Sequence, residues 1–114
     1  MTSVTMYHNP RCSKSRQTLA LLEENGIEVA IVEYLKEPLT ANELKAIAGK
    51  LGVGVRDIVR TGEEPYKEGN LANASDDELL SAMASEPILM QRPIVVKGDA
   101  ARVGRPPESV LEIL

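Results

Sequence analysis

The only cysteine of the chain lies in a short, strongly cationic stretch, YHNPRCSKSR, at residues 7–16. This stretch holds three cationic side chains and a histidine but no carboxylate, although the whole chain carries a net charge of −4. Positive charges lower the pKa of a thiol, and the thiolate is the nucleophilic form of cysteine. Cys12 is therefore a candidate nucleophile. The alternative, an inert and buried core cysteine, fits poorly beside Arg11 and Lys14.

The spacing around Cys12 distinguishes between kinds of thiol chemistry. Ser15 stands three positions later, so the loop reads C-x-x-S where a dithiol oxidoreductase has C-x-x-C. A second thiol must then come from another molecule. A cysteine phosphatase loop requires C-x5-R, but the corresponding position here is Thr18. One cysteine also cannot form an internal disulfide or supply a zinc cluster, so we expect no metal site built on it.

The elements that must position Cys12 form a strand-helix-strand unit. Residues 4–7 read as a short strand, a helical pattern begins at Ser13 and stops at Asn25-Gly26, and residues 29–32 read as a second, buried strand. Such a unit pairs its strands in parallel with a right-handed crossover. Cys12 then lies at the helix N-terminus, where unpaired N–H groups and the helix dipole favour a thiolate or another anion.

The middle of the chain, about residues 38–88, is predicted to be a helical insert. Capping-box patterns begin helices after Thr40 and Ser75. Residues 55–59 are compatible with a short helix and residues 62–69 with a loop.

The C-terminal part is predicted to form two strands and a helix. Residues 94–96 form a β-run, residues 102–103 begin a return strand, and Pro106-Pro107 opens a helix through Leu114. We therefore predict a single α/β domain over residues 1–114. Its fold is thioredoxin-like, with the helical insertion between an N-terminal βαβ and a C-terminal ββα unit.

Three later arginines are candidates for binding an anion beside the thiol. Arg60, Arg92 and Arg105 each lie at a junction between predicted elements, although solvated surface charge is the alternative for each. A guanidinium donates two parallel hydrogen bonds, which suits a tetrahedral oxyanion. Arg92 also precedes Pro93, and an X-Pro bond can be cis at small cost, as beside the active cysteine of thioredoxin folds.

Composition and charge argue against several functional classes. The chain is 43% apolar and 26% charged, which is typical of a globular domain with one modest core. An acidic chain lacks the extended basic surface that nucleic acids and anionic membranes require. No apolar run approaches the roughly 18 residues of a membrane span, and the N-terminus has no signal pattern. We expect a cytoplasmic protein with a free thiol.

Four short motifs, spread from the start to the end of the chain, carry a family resemblance that runs over essentially its whole length. They are Tyr7-His8-Asn9-Pro10-x-Cys12-x-x-Ser15-Arg16, Glu64-Pro65-Tyr66, Arg92-Pro93-Ile94-Val95-Val96 and Gly104-Arg105-Pro106-Pro107. Together they closely resemble the glutaredoxin-linked arsenate reductase family. The resemblance implies a thioredoxin-like enzyme that reduces arsenate to arsenite, with glutathione as co-substrate, glutaredoxin as partner and no bound cofactor.

Carried over residue by residue, the resemblance implies that Cys12 is the nucleophile and that His8 helps to hold it as a thiolate. The alternative for His8 is an ordinary histidine at a strand end. Three arginines would bind the oxyanion, and four residues would support the loop and the site. The arginines are Arg60, Arg92 and Arg105, and the supporting residues are Asn9, Ser15, Arg16 and Pro93.

Two departures from longer relatives suggest a short subgroup of that family. The sequence stops at Leu114 without their C-terminal extension, and Arg11, Ser13 and Lys14 are not shared by every relative. Two other functions remain open from the residues. A C-x-x-S loop also suits a monothiol exchanger acting on glutathione mixed disulfides. A thioredoxin-like regulator that binds RNA polymerase is less favoured, because such regulators commonly carry a C-x-x-C switch.

Overall fold

The computed structural model of the chain describes residues 4–114, which contain four β-strands, four α-helices and several 3-10 segments. The strands are β1 Val4–Tyr7, β2 Val29–Val32, β3 Ile94–Lys97 and β4 Ala100–Val103. The α-helices are α1 Ser13–Glu24, α2 Ala41–Leu51, α3 Glu64–Glu68 and α4 Asp76–Ser85. The 3-10 segments are Val55–Ile58, Leu71–Asn73, Pro87–Leu89 and Pro107–Ile113. This order agrees with the predicted βαβ, helices, ββα arrangement, but the predicted C-terminal helix is a 3-10 segment and the return strand begins two residues earlier than predicted, at Ala100.

The described residues fall into two compact units. The first unit contains the chain up to Glu37 together with Arg92–Leu114, and the second contains Pro38–Gln91. The second unit therefore covers the predicted helical insert. That both units belong to one domain remains a prediction.

The first unit is built on a four-stranded sheet with the strand order β2-β1-β3-β4. Strands β1 and β2 are parallel, as the strand-helix-strand pattern predicts, whereas β3 is antiparallel to both β1 and β4. Helix α1 and the C-terminal 3-10 segment cover the sheet with apolar side chains. The buried cluster there consists of Val4, Met6, Leu22, Val95 and Val110.

The prediction that β2 is buried was wrong. Strand β2 is at the edge of the sheet, and 46% of Ile31 is exposed. An apolar run predicts a strand, but it does not say how many neighbours that strand has. Here β1 and β3 occupy the centre.

In the second unit, the two predicted capping boxes are present. The Thr40 hydroxyl accepts from the Glu43 N–H while the Glu43 carboxylate accepts from the Thr40 N–H, and Ser75 and Glu78 repeat this exchange. The predicted loop at 62–69 was wrong, because α3 occupies most of it. Pro65 lies in the first turn of α3, where its fixed φ favours a helix and its missing N–H costs nothing.

None of the helices within residues 4–114 is long and apolar enough to cross a membrane. Within the same residues, no group of three or more His, Cys, Asp or Glu side chains is arranged to hold a metal ion.

Candidate active site

The register of the sheet brings four chain segments together where the strands end. This line of strand ends, and not the outermost strand β2, is the edge meant below. Tyr7 at the end of β1 pairs with Val32 at the end of β2 and with Ile94 at the start of β3. Ile94 in turn pairs with Val103 at the end of β4. Three segments therefore begin at this edge, namely those that follow β1, β2 and β4. A fourth segment, which precedes β3, ends there. Cys12 lies at this edge.

Cys12 is the N-cap residue of α1, as the sequence predicts, and its extended backbone gives way to the helix at Ser13. Burial disfavours the charged form of the thiol, but three groups outweigh this effect and lower the pKa of Cys12 below its usual value. They are the backbone N–H of Ser15, the Arg92 guanidinium and the backbone N–H of Lys14. The helix end and one remote arginine thus favour the thiolate.

The neighbouring cations contribute less than the sequence suggests. Arg11, Lys14 and Arg16 have exposed side chains, and Arg16 donates to the carbonyl oxygen of Pro10 at 2.9 Å. Because water screens exposed charges, they act weakly on the sulfur. The positive charge that acts on Cys12 comes mainly from the other end of the sequence.

Arg105 reaches the sulfur from the segment after β4. Its Nη2 lies 3.7 Å from Cys12 Sγ, and its Nε donates to the carbonyl oxygen of Arg92 at 2.8 Å. The second hydrogen bond fixes the guanidinium with respect to the segment that precedes β3. The structure therefore brings Arg92, Arg105 and Cys12 together.

Arg92 has hydrogen-bonding capacity left over. Its guanidinium approaches the Cys12 sulfur and the Tyr34 hydroxyl, yet within residues 4–114 its Nε and Nη1 are buried without a hydrogen-bond partner. A buried donor normally has an acceptor. The described residues supply none for these two nitrogens, so both remain able to donate to a bound molecule. The peptide bond from Arg92 to Pro93 is cis, as the sequence suggests.

His8 lies inside the loop and is buried. Its Nδ1 is 2.7 Å from Ser15 Oγ, and the same oxygen accepts from the Asn9 N–H at 3.0 Å. Burial lowers the pKa of His8, and Arg16 adds to this effect against the opposing charge of Glu33. His8 is therefore mostly neutral at pH 7, and it contributes through its contact with Ser15 rather than through positive charge.

Asn9 and Ser15, predicted to support the loop, do so through hydrogen bonds. Asn9 Oδ1 accepts from the Arg11 N–H and the Asn9 carbonyl accepts from the Cys12 N–H, both at 3.0 Å. Arg60 lies in the second unit, where its Nε is 3.6 Å from Glu63 Oε2. Its role beside Cys12 remains a prediction.

Two residues at these strand ends were not among the predicted site residues. Tyr34, two positions after β2, is buried with its hydroxyl facing Arg92 and Asn9. The available signal was its position, since parallel strands end at the same edge. The other is Gly104, whose N–H donates to the carbonyl oxygen of Pro93 at 2.9 Å.

We expect Gly104→Ala to destabilise the fold by about 1–3 kcal/mol. The added methyl would lie 2.5 Å from Thr18 Oγ1 and 2.8 Å from a ring carbon of Pro93. Thr18 cannot easily turn away, because its hydroxyl is bonded to the carbonyl oxygen of Lys14. Urea unfolding measures the loss.

Gly49→Ala is the matched control, because its methyl would meet nothing within 4 Å on α2. It should stabilise the protein by up to about 1 kcal/mol, since alanine favours a helix. If Gly104→Ala were as stable as this control, the close packing of the residue after β4 against Thr18 of α1 and against Pro93 would be contradicted.

The fold and the site define a class: a thioredoxin-like domain with one thiol of lowered pKa at the start of its first helix. The model of the ArsC family matches residues 7–113. The chain therefore belongs to the ArsC family.

The similar proteins agree with this family. An arsenate reductase of Haemophilus influenzae is 54% identical, over 98% of this chain and 99% of the relative. An arsenate reductase of Escherichia coli K12 is 44% identical, over 100% of this chain and 82% of the relative. The solved structure of an arsenate reductase from Vibrio cholerae is 53% identical with a TM-score of 0.96, covering 99% of this chain and 98% of that one.

Proposed function

We propose that this protein is an arsenate reductase in which the Cys12 thiolate attacks arsenic. The observation that carries the proposal is a thiol of lowered pKa with two arginines beside it. One of them, Arg92, has two nitrogens that find no hydrogen-bond partner among the described residues. The identity of 54% to an arsenate reductase over nearly the whole chain supports the same substrate.

The same positively charged groups stabilise both the bound substrate and the Cys12 thiolate. Arsenate is a tetrahedral oxyanion, and Arg92 and Arg105 donate to its oxygens as Cys12 attacks arsenic and an oxygen leaves as hydroxide or water. Arg60 is proposed as a third donor to the oxyanion. Asn9, Ser15 and His8 hold the loop in place during the attack, and Arg16 and Pro93 support it.

The reducing thiols come from other molecules, because Ser15 replaces the second cysteine of a dithiol loop. Glutathione adds to the cysteine-bound arsenic as water leaves, and a glutaredoxin thiol then attacks the glutathione sulfur. The disulfide that forms between glutathione and glutaredoxin leaves two electrons on arsenic, which becomes As(III). Water then displaces Cys12 from arsenic, so arsenite is released and the thiol is restored. A free thiol in use as a nucleophile fits a reducing compartment, so we propose the cytoplasm as the location.

A coupled assay tests the function directly. With glutathione, glutaredoxin, glutathione reductase and NADPH present, we expect NADPH oxidation that depends on both this protein and arsenate. Omitting glutaredoxin should slow the reaction, because the adduct then accumulates. Turnover of a glutathione mixed disulfide without turnover of arsenate would instead establish the monothiol exchanger.

A further inference from the structure

Three buried polar atoms of the first unit lack a hydrogen-bond partner within the described residues, and they belong to neighbouring side chains. They are Tyr34 Oη, Arg92 Nε and Arg92 Nη1. Buried polar atoms are nearly always paired, so three unpaired atoms in one place require an explanation. The arrangement points to a partner from outside the chain.

Tyr34 is held at this place by the sheet. It follows β2 by two residues, and β2 runs parallel to β1, so Tyr34 and the Cys12 loop begin at the same edge. Only 1% of Tyr34 is exposed, so bulk water does not hydrate its hydroxyl. The buried ring therefore holds the hydroxyl beside Arg92. Within the described residues, no acceptor lies in regular hydrogen-bonding geometry to this hydroxyl.

The chemistry of these atoms defines the missing partner. The two Arg92 nitrogens can only donate, and a protonated phenol donates one hydrogen bond as well. Burial is the main cause that raises the pKa of Tyr34, against the opposing Arg92 charge, so the phenol keeps its proton at neutral pH. Three donors on two neighbouring side chains, one of them a guanidinium close to the Cys12 sulfur, suit an anion with several acceptor oxygens.

We propose that the Tyr34 hydroxyl is a further substrate-binding group, donating a hydrogen bond to the same tetrahedral oxyanion that Arg92 binds beside Cys12. This inference rests on the proposed function and adds a neutral donor to its arginines. A neutral donor has a distinct use, because it binds the oxyanion without altering the charge that acts on the thiol.

Tyr34→Phe tests the proposal by removing one oxygen and no ring atoms. The measurement is protection of Cys12 from iodoacetamide by inorganic phosphate, a tetrahedral oxyanion that the thiol does not reduce. We expect the phosphate concentration for half-protection to rise about tenfold, the range for a lost hydrogen bond to a charged group. The KM for arsenate should rise with it.

A purely structural role would give different results. Because the hydroxyl makes no hydrogen bond of regular geometry within the described residues, its removal should leave the Tm without phosphate unchanged or raised, and should leave the pH dependence of iodoacetamide alkylation unchanged. Tyr66→Phe is the matched control. It removes the same atom from the second unit and should behave as the wild type.

The outcomes separate this inference from the function beneath it. Equal protection of Tyr34→Phe and the wild type by phosphate would overturn the role of Tyr34 and leave the arsenate reductase intact. A lower Tm without phosphate, with unchanged protection, would assign Tyr34 to packing alone. No protection of the wild type by phosphate or arsenate, together with no arsenate turnover, would overturn both.

Discussion

Cys12→Ser should reduce arsenate-dependent NADPH oxidation by at least about 10³-fold in the coupled assay, as expected for loss of a nucleophile. The hydroxyl of serine stays protonated at neutral pH, so the groups that lower the pKa of the Cys12 thiol have no ionised sulfur to stabilise. The oxyanion site should survive the change, because Arg92 and Arg105 remain in place. Phosphate should therefore still raise the Tm of the variant.

A second variant shows whether the position of the thiol matters. Cys12→Ser combined with Ser81→Cys keeps one thiol in the chain but moves it to the exposed face of α4. We expect this double variant to be as inactive as Cys12→Ser. Recovered activity would mean that any accessible thiol suffices, and undiminished activity in Cys12→Ser alone would end the nucleophile assignment.

Local signals in the sequence were enough to place Cys12. The β-run before Asn9 predicts β1 at its observed bounds, and the helical pattern predicts the start of α1 at Ser13. Capping boxes predict α2 and α4 because each depends on residues three positions apart. A structural feature can be predicted from the sequence where the residues that produce it are close together in the chain.

The electrostatics of the site could not be predicted in the same way. The sequence favours the neighbouring Arg11 as a source of positive charge, but the guanidinium 3.7 Å from the Cys12 sulfur belongs to Arg105, 93 positions away. His8 looks cationic in the sequence, yet its burial, which depends on the folded chain, lowers its pKa. Tyr34 is one of three tyrosines, and only its position just after β2 distinguishes it. Burial and long-range pairing decided each case.

Arg92→Met should remove two functions of the guanidinium that can be measured separately: hydrogen bonding to the oxyanion and lowering of the Cys12 pKa. The long apolar stem of methionine fills much of the same space, while the charge and both unpartnered nitrogens are lost. We expect kcat/KM for arsenate to fall about 10²–10³-fold, as on removal of a donor to a developing oxyanion. The pKa of the Cys12 thiol should also rise, because Arg92 is one of the groups that lower it.

The pH dependence of the variant separates the two losses. Thiolate forms as the pH rises through the thiol pKa, so a raised pKa slows iodoacetamide alkylation at neutral pH but not well above the pKa. The loss of arsenate binding should persist at every pH, because no titration restores the missing donors. Arg11→Met is the matched control. It removes an exposed cation one residue from Cys12, and screening by water should leave both measurements near the wild type. If Arg11→Met shifted the alkylation profile as far as Arg92→Met, the local cationic stretch, and not the arginine before β3, would set the charge on the sulfur.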